Sequence, residues 1–190
     1  MVKSNRGNIR ITINGMPGSG KSTLSRFLAK KLGLKKYGMG DVMREMAIEK
    51  GMTIAELNRL EEKEERTDRE DREVDEYQKK LKNKDNIIVD GRLSWFFIPN
   101  SVKIFFKVDP KMGAERIFKD RRPSEKRYKS VEEAERANEK RVKSDIKRYK
   151  KLYGINPYDI KNYDIVMDTS DMTIPEMEKN TLAALKKFLG

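Results

Sequence analysis

The chain has 190 residues, carries 43 Lys and Arg against 31 Asp and Glu for a formal net charge of +12, and contains neither Cys nor His. Those two absences exclude a disulfide framework, a thiolate nucleophile, a Cys/His metal site and a Ser-His-Asp triad. The longest purely apolar run is Trp95 to Ile98, far short of the ~20 residues of a membrane span, and no apolar leader segment follows Met1, so a cytoplasmic protein is expected.

The positive charge is concentrated in two stretches. Residues 1–55 hold 11 basic and 3 acidic side chains, and residues 121–151 hold 13 and 6. A charge run alone reads as a solvated basic surface, including one that meets nucleic acid. Two distant runs of one sign also suit a phosphate-binding cleft, and the motifs must choose between these readings.

In chain order, Asn8 to Asn14 alternates β-branched and polar residues and predicts a strand. A Gly-rich turn leads into a predicted helix over Ser22 to Leu32, stopped by Gly33. A short strand is expected over Leu34 to Tyr37. Asp41 is placed to cap a helix that runs to about Lys50, and Thr53 with Glu56 forms a capping-box pattern opening another. From Glu61 to Lys84 the chain is almost wholly charged and predicts a helix with a thin apolar stripe of Val74, Tyr77 and Leu81. Asn86 to Asp90 is a short apolar run ending in a carboxylate, as in a buried strand, and Val102 to Val108 predicts the next one. Pro110 opens a helix through Phe118. Ser130 and Glu133 make a second capping box, for a helix to about Tyr153 with Ala134, Ala137, Val142, Ile146 and Tyr149 inward. A last strand over Asp164 to Asp168 and a closing helix over Ile174 to Leu189 complete the chain. Strands alternating with helices imply a parallel sheet covered on both faces.

Gly15-Met16-Pro17-Gly18-Ser19-Gly20-Lys21-Ser22 satisfies G-x-x-x-x-G-K-[ST], between a predicted strand and a predicted helix, with Thr23 next. Such glycines let successive backbone N–H groups turn toward phosphate oxygens, and the helix start adds its positive dipole end. Lys21 is expected to reach the β- and γ-phosphates of ATP and the Ser22 hydroxyl to bind Mg²⁺. Asp90, closing an apolar strand, is the second candidate ligand for that cation. The expected ligand is therefore a nucleoside triphosphate with its metal.

Arginines select among such proteins. A monophosphate acceptor presents an oxygen already anionic at neutral pH, so no base is needed, but two repelling phosphates must be brought together. Guanidinium groups suit that task through bidentate contacts. Arg44 falls one turn inside a predicted helix, Arg92 follows Asp90-Gly91 directly, and Arg116 lies in the helix after the fourth strand. Arg141, Asp145 and Arg148 share one helical face.

With these motifs the chain resembles the nucleoside monophosphate kinases, most closely the short-insert form of cytidylate kinase, over about Asn8 to Leu189. The matching segments are 15–22, G-D-V-x-R-E at 40–45, D-R-E-V-D-x-x-Q at 71–78 and D-G-R-L at 90–93. A-E-R-I at 114–117, R-x-x-S-D-x-x-R-Y at 141–149, Y-G-I at 153–155 and Y-D-I-V-x-x-T-S at 163–170 complete the set. The resemblance implies one P-loop α/β domain over 1–190, a three-layer sandwich with a five-stranded parallel sheet in the order 2-3-1-4-5. On it sit a monophosphate-binding segment at about 41–85 and a lid at about 120–150. It implies transfer of the γ-phosphoryl of ATP to CMP or dCMP by a monomer. Residues 15–23 and Arg116 would hold ATP, and Lys21, Arg92, Arg141 and Arg148 would act on the transferring phosphates. Asp41, Arg44, Gly91 and Arg92 would bind the monophosphate, and Asp71, Asp75 and Gln78 are candidates to face its base. Asp120 stands where the family often has Arg, with Arg121 and Arg122 following, and Asp90 where it often has Glu. Two alternatives stay open at this point: a kinase for AMP or UMP, and a basic ATP-binding module attached to RNA or ribosomes.

Overall fold

The structure is a computed structural model that describes residues 8–52, 56, 68–120 and 128–190, with backbone only for 68–71. Thr53 of the first capping box, the charged stretch 61–67, the Asp71 side chain and Arg121 with Arg122 lie outside the described residues.

Five strands form one parallel sheet: β1 (Arg10–Gly15), β2 (Lys35–Gly38), β3 (Ile87–Asp90), β4 (Val102–Lys107) and β5 (Ile165–Asp168). Their order is β2-β3-β1-β4-β5, as the resemblance implied. Every pairing is parallel, with Ile13 of β1 opposite Asp90 of β3 and Ile104 of β4. The alternation read at Asn8 to Asn14 is real, yet β1 is buried on both faces from Ile11 to Gly15, because a parallel sheet is covered twice.

One face packs Ile11, Ile13, Ile88, Ile104 and Phe106 against Leu24 and Leu28 of α1 (Lys21–Leu32) and Met177 and Leu185 of a C-terminal helix, α7 (Ile174–Leu189). The other face is smaller. There Ile87 and Val89 meet Met39 and Val42 of α2 (Met39–Glu49), Leu81 of α3 (Asp68–Leu81) and Ile98. Ile98 follows a one-turn helix, α4 (Ser94–Phe97), in the apolar run that the sequence placed only as too short for a membrane. Helices α5 (Pro110–Lys119) and α6 (Val131–Tyr153) pack on each other beside the sheet. Among the described residues no helix is long and apolar enough to cross a membrane.

Most boundaries have local causes. Gly33 and Gly154 end α1 and α6 in the left-handed region, which their missing Cβ permits. Asp109 caps α5 by accepting from the N–H groups of Lys111 and Met112 at 3.0 and 3.1 Å, with Pro110 first in the helix.

Three expectations need correction. Asp41 is no cap: β2 runs straight into α2, so the helix starts at Met39 with Gly38 as the cap residue. Asp41 sits in the first turn instead, pairing with Lys36 at 3.6 Å and with Arg44. The Ser130 box is half-formed. Ser130 Oγ accepts from Glu133 N at 3.2 Å, but the Glu133 carboxylate reaches one residue further back, to Lys129 N at 2.6 Å. The inward line of α6 is Ala134, Asp145 and Tyr149, while Ala137, Val142 and Ile146 are only half-buried. A carboxylate has displaced part of the apolar stripe.

Phe106 sits at 0% exposure in the larger core, and its carbonyl accepts from Met16 N at 2.9 Å. Phe106→Ala is expected to cost about 3–5 kcal/mol by opening a cavity. Urea unfolding should show that loss as a lower midpoint with an unchanged m-value.

Candidate active site

The crossover from β1 to α1 carries the Gly15–Ser22 loop. Gly18 and Gly20 have φ of +76° and +82°, and a Cβ on Gly18 would lie 2.1 Å from the carbonyl oxygen of Gly113 in α5. Only glycine allows that approach of loop to helix. Gly20 precedes α1 without any side-chain cap, so the helix presents its N-terminus to the cavity. Ser19 Oγ is buried and finds no partner among the described residues. An orphaned donor inside a loop that has no room for side chains is what a phosphate oxygen would satisfy.

Parallel pairing of β1 with β3 puts Asp90 beside this loop, where its Oδ2 accepts from Ser22 Oγ at 2.9 Å. Among the described residues no cluster of three or more His, Cys, Asp or Glu side chains could enclose a metal. One hydroxyl and one carboxylate are hard oxygen donors of the kind Mg²⁺ uses when substrate phosphates and water complete its shell. The residues present fit that cation.

Two cavities meet at the loop. The first, about 800 Å³, is lined by Gly15, Pro17, Gly18, Gly20 and Thr23, by Arg116 and Tyr158, and by an apolar rim including Ile117, Met172 and Ile174. The second, about 170 Å³, is lined by Asp41, Arg44, Asp75, Gln78, Asp90, Gly91, Leu93 and Tyr149. Lys21, Ser22, Arg92 and Arg141 line both. The sequence candidates thus divide between two adjoining spaces with a shared cationic wall. Met16, Ser19 and Arg148 line neither.

Arg116 is committed to the turn after β5. One guanidinium nitrogen donates to the carbonyls of Thr169, Ser170 and Met172 at 2.7, 2.8 and 3.3 Å. Thr169 in turn donates from Oγ1 to the Ser19 carbonyl at 3.2 Å, linking that turn to the phosphate loop.

The shared wall rests on Asp145, which is 3% exposed. Its Oδ2 accepts from Arg92 Nε and, at 2.8 Å, from Tyr158 Oη, while Oδ1 accepts from Arg148 Nη2 at 2.8 Å. Burial alone would raise the Asp145 carboxyl, but the charges of Arg92, Arg141 and Arg148 outweigh it and hold the group below its usual value. Burial works against the Arg92 charge as well, and Asp145 more than restores it. Tyr158 is pushed up, first by burial and then by the same carboxylate. The Arg148 guanidinium also lies 4.8 Å over the Tyr149 ring.

In the second cavity, Asp75 Oδ2 accepts from Tyr153 Oη at 2.5 Å and its Oδ1 from Gln78 Nε2 at 3.1 Å. Gln78 Oε1 accepts from Ser94 Oγ at 2.7 Å. Sequence reasoning placed Asp145 on the Arg141 face without giving it a site role, and it missed Tyr158, Tyr153 and Ser94. Tyr153, Asp145 and Tyr158 stand in or beside the matched segments 141–149 and 153–155, which was the available signal.

Comparison with known proteins follows this geometry. A model of the cytidylate kinase-like family matches residues 10–171. The chain is 35% identical over 190 residues to a cytidylate kinase of Methanopyrus kandleri, covering 94% of each protein. It is 36% identical over 166 residues to the cytidylate kinase of Pyrococcus abyssi, covering 87% of each. Among solved structures, shikimate kinase from Bacteroides thetaiotaomicron aligns with a TM-score of 0.65 at 18% identity, over 96% of this chain and 99% of that one. A gluconokinase from Sinorhizobium meliloti aligns with a TM-score of 0.59 at 15% identity, over 97% and 95%. The structural likenesses establish the fold and leave function to the site.

Replacing Asp145 by Asn leaves Arg92 and Arg148 without their counter-charge and is expected to cost about 3–5 kcal/mol at pH 7. Because the folded carboxyl titrates below its unfolded value of ~3.9, its contribution is complete above that pH and vanishes as pH falls through the folded value. Urea unfolding of Asp145→Asn beside the parent chain should therefore show a gap that is widest at pH 7 and narrows below about pH 4. An equal gap at pH 7 and pH 3 would contradict this placement of the charge.

Proposed function

The chain belongs to the cytidylate kinase-like family, and from that premise we propose that it transfers the γ-phosphoryl group of ATP to CMP or dCMP. The observation that carries this reading is the pair of adjoining cavities joined by Lys21, Ser22, Arg92 and Arg141. ATP occupies the first cavity, with its β- and γ-phosphates on the 15–22 loop, and the monophosphate occupies the second.

A phosphate monoester has its second pKa near ~6, so the acceptor oxygen is already a nucleophile at neutral pH and no histidine is required. That oxygen attacks the γ-phosphorus, the bond to the β–γ bridging oxygen breaks, and its electron pair leaves with ADP. The residues' work is positioning and charge neutralisation. Lys21 holds the γ-phosphate, Arg44 and Arg92 hold the acceptor phosphate with Asp41 orienting Arg44, and Arg141 spans the two. Ser22 and Asp90 would hold Mg²⁺, which neutralises charge on the β- and γ-phosphate oxygens when bound. Arg148 acts through Asp145 in the arrangement described and approaches the phosphates as the lid segment, about 120–150, closes. The segment at about 41–85 carries the monophosphate. Basic side chains of both charge-rich stretches line the two cavities, which supports a nucleotide-binding role for that charge over an RNA footprint.

An assay supplying ATP, Mg²⁺ and CMP should yield ADP and CDP, with little ATP consumed when the monophosphate is omitted. Lys21→Ala should lose on the order of 10²–10³ in kcat with an unchanged Tm. Arg44→Ala should instead raise KM for CMP and leave KM for ATP near its original value. A protein that hydrolyses ATP equally with and without CMP would overturn the proposal.

A further inference from the structure

Within the acceptor cavity, three buried polar side chains form a chain whose direction is determined. Asp75, Gln78 and Ser94 are 3%, 3% and 0% exposed, and only the first two line the cavity. A carboxylate accepts hydrogen bonds and cannot donate them. The atom of Gln78 that faces Asp75 Oδ1 at 3.1 Å must therefore be the amide nitrogen. Its oxygen then points the other way, and the Ser94 hydroxyl at 2.7 Å must donate to it. Ser94 is held in place from behind: a Cβ on Gly91 would lie 2.4 Å from Ser94 Oγ. Neither end leaves the Gln78 amide free to turn over, because a flip would set oxygen against carboxylate.

The cavity consequently offers a base one acceptor, the Asp75 carboxylate, beside one donor, the Gln78 amide N–H. Cytosine presents the complement, an exocyclic amine donor next to an unprotonated ring nitrogen. Uracil presents a carbonyl acceptor next to a ring N–H, which is wrong at both points, and guanine repeats the uracil pattern. We propose that Ser94 is a positioning residue that sets the polarity of the Asp75–Gln78 pair, so that the site takes an amino-bearing base and refuses uracil and guanine. The proposal rests on the reading of the second cavity as the monophosphate site. Polarity by itself admits adenine as well, and the choice of cytosine comes from that reading.

The test is calorimetric binding of CMP, AMP, UMP and GMP to the parent chain, Ser94→Ala and Gln78→Leu, with ATP affinity as the control for folding. The parent chain should bind CMP on the order of 10²-fold or more tighter than UMP, since mispaired buried polar groups are rejected strongly. Ser94→Ala should narrow that ratio about tenfold by releasing the amide, and Gln78→Leu should narrow it by as much or more, both with ATP affinity retained. A general loss of packing would weaken CMP and UMP together and leave the ratio unmoved. An unchanged ratio in Ser94→Ala that still binds ATP overturns the role of Ser94. Should that variant fail to bind ATP, an unchanged ratio in Gln78→Leu does so instead. Preference of the parent chain for UMP or GMP overturns the polarity itself. CMP bound in preference to UMP but never phosphorylated would sink the proposed kinase reaction and leave the polarity standing.

Discussion

Guanidinium groups gathered around two phosphate-bearing ligands repel one another before any ligand arrives, and a single buried carboxylate relieves that repulsion. Asp145 accepts from Arg92, Arg148 and Tyr158 at once, and the charge of Arg141 acts on it as well. In a medium less polar than water these attractions are strong enough to offset the cost of burying the carboxylate. The partners come from different parts of the chain. Arg92 follows β3, Arg148 belongs to α6 and Tyr158 lies beyond it, so docking α6 and assembling the cationic wall are one event.

The sheet supplies the rigid counterpart. Parallel pairing brings the C-terminal ends of β1 and β3 together, which sets the glycine loop beside Asp90. Asn14, the residue before the loop, is 1% exposed and donates to the carbonyls of Arg92 and Pro157 at 3.2 and 2.8 Å and to Tyr163 Oη at 2.8 Å. The loop, Arg92 and the segment after α6 are thereby fixed to a common buried amide. Rigid placement on one side and a smaller apolar contact under α2 and α3 on the other suit a site that must hold one nucleotide firmly and admit a second.

The strands, the glycine loop and the capped ends of α5 and α7 were legible because each depends on residues a few positions apart. Thr173 N donates to Glu176 Oε2 at 2.8 Å in α7, a contact written into four consecutive residues. Asp145 was not legible as a buried group. Its spacing marked a helical face, but its burial depends on Arg92, 53 residues earlier in the chain. Tyr153 and Asp75 are likewise 78 residues apart, and Ser94 and Gln78 meet only once α4 has folded onto α3. Asp41 misled for a local reason: its residue type suits a cap, but β2 continues into α2 without a loop and moves the helix start two residues earlier.

The central claim is that the two cavities form one site across the wall that Asp145 holds. Inhibition by an analogue joining adenosine to cytidine through five phosphates tests this most directly. The account predicts one analogue bound per chain, competitive against ATP and also competitive against CMP. Competition against one substrate with noncompetitive inhibition against the other would place the nucleotides in separate sites and contradict it.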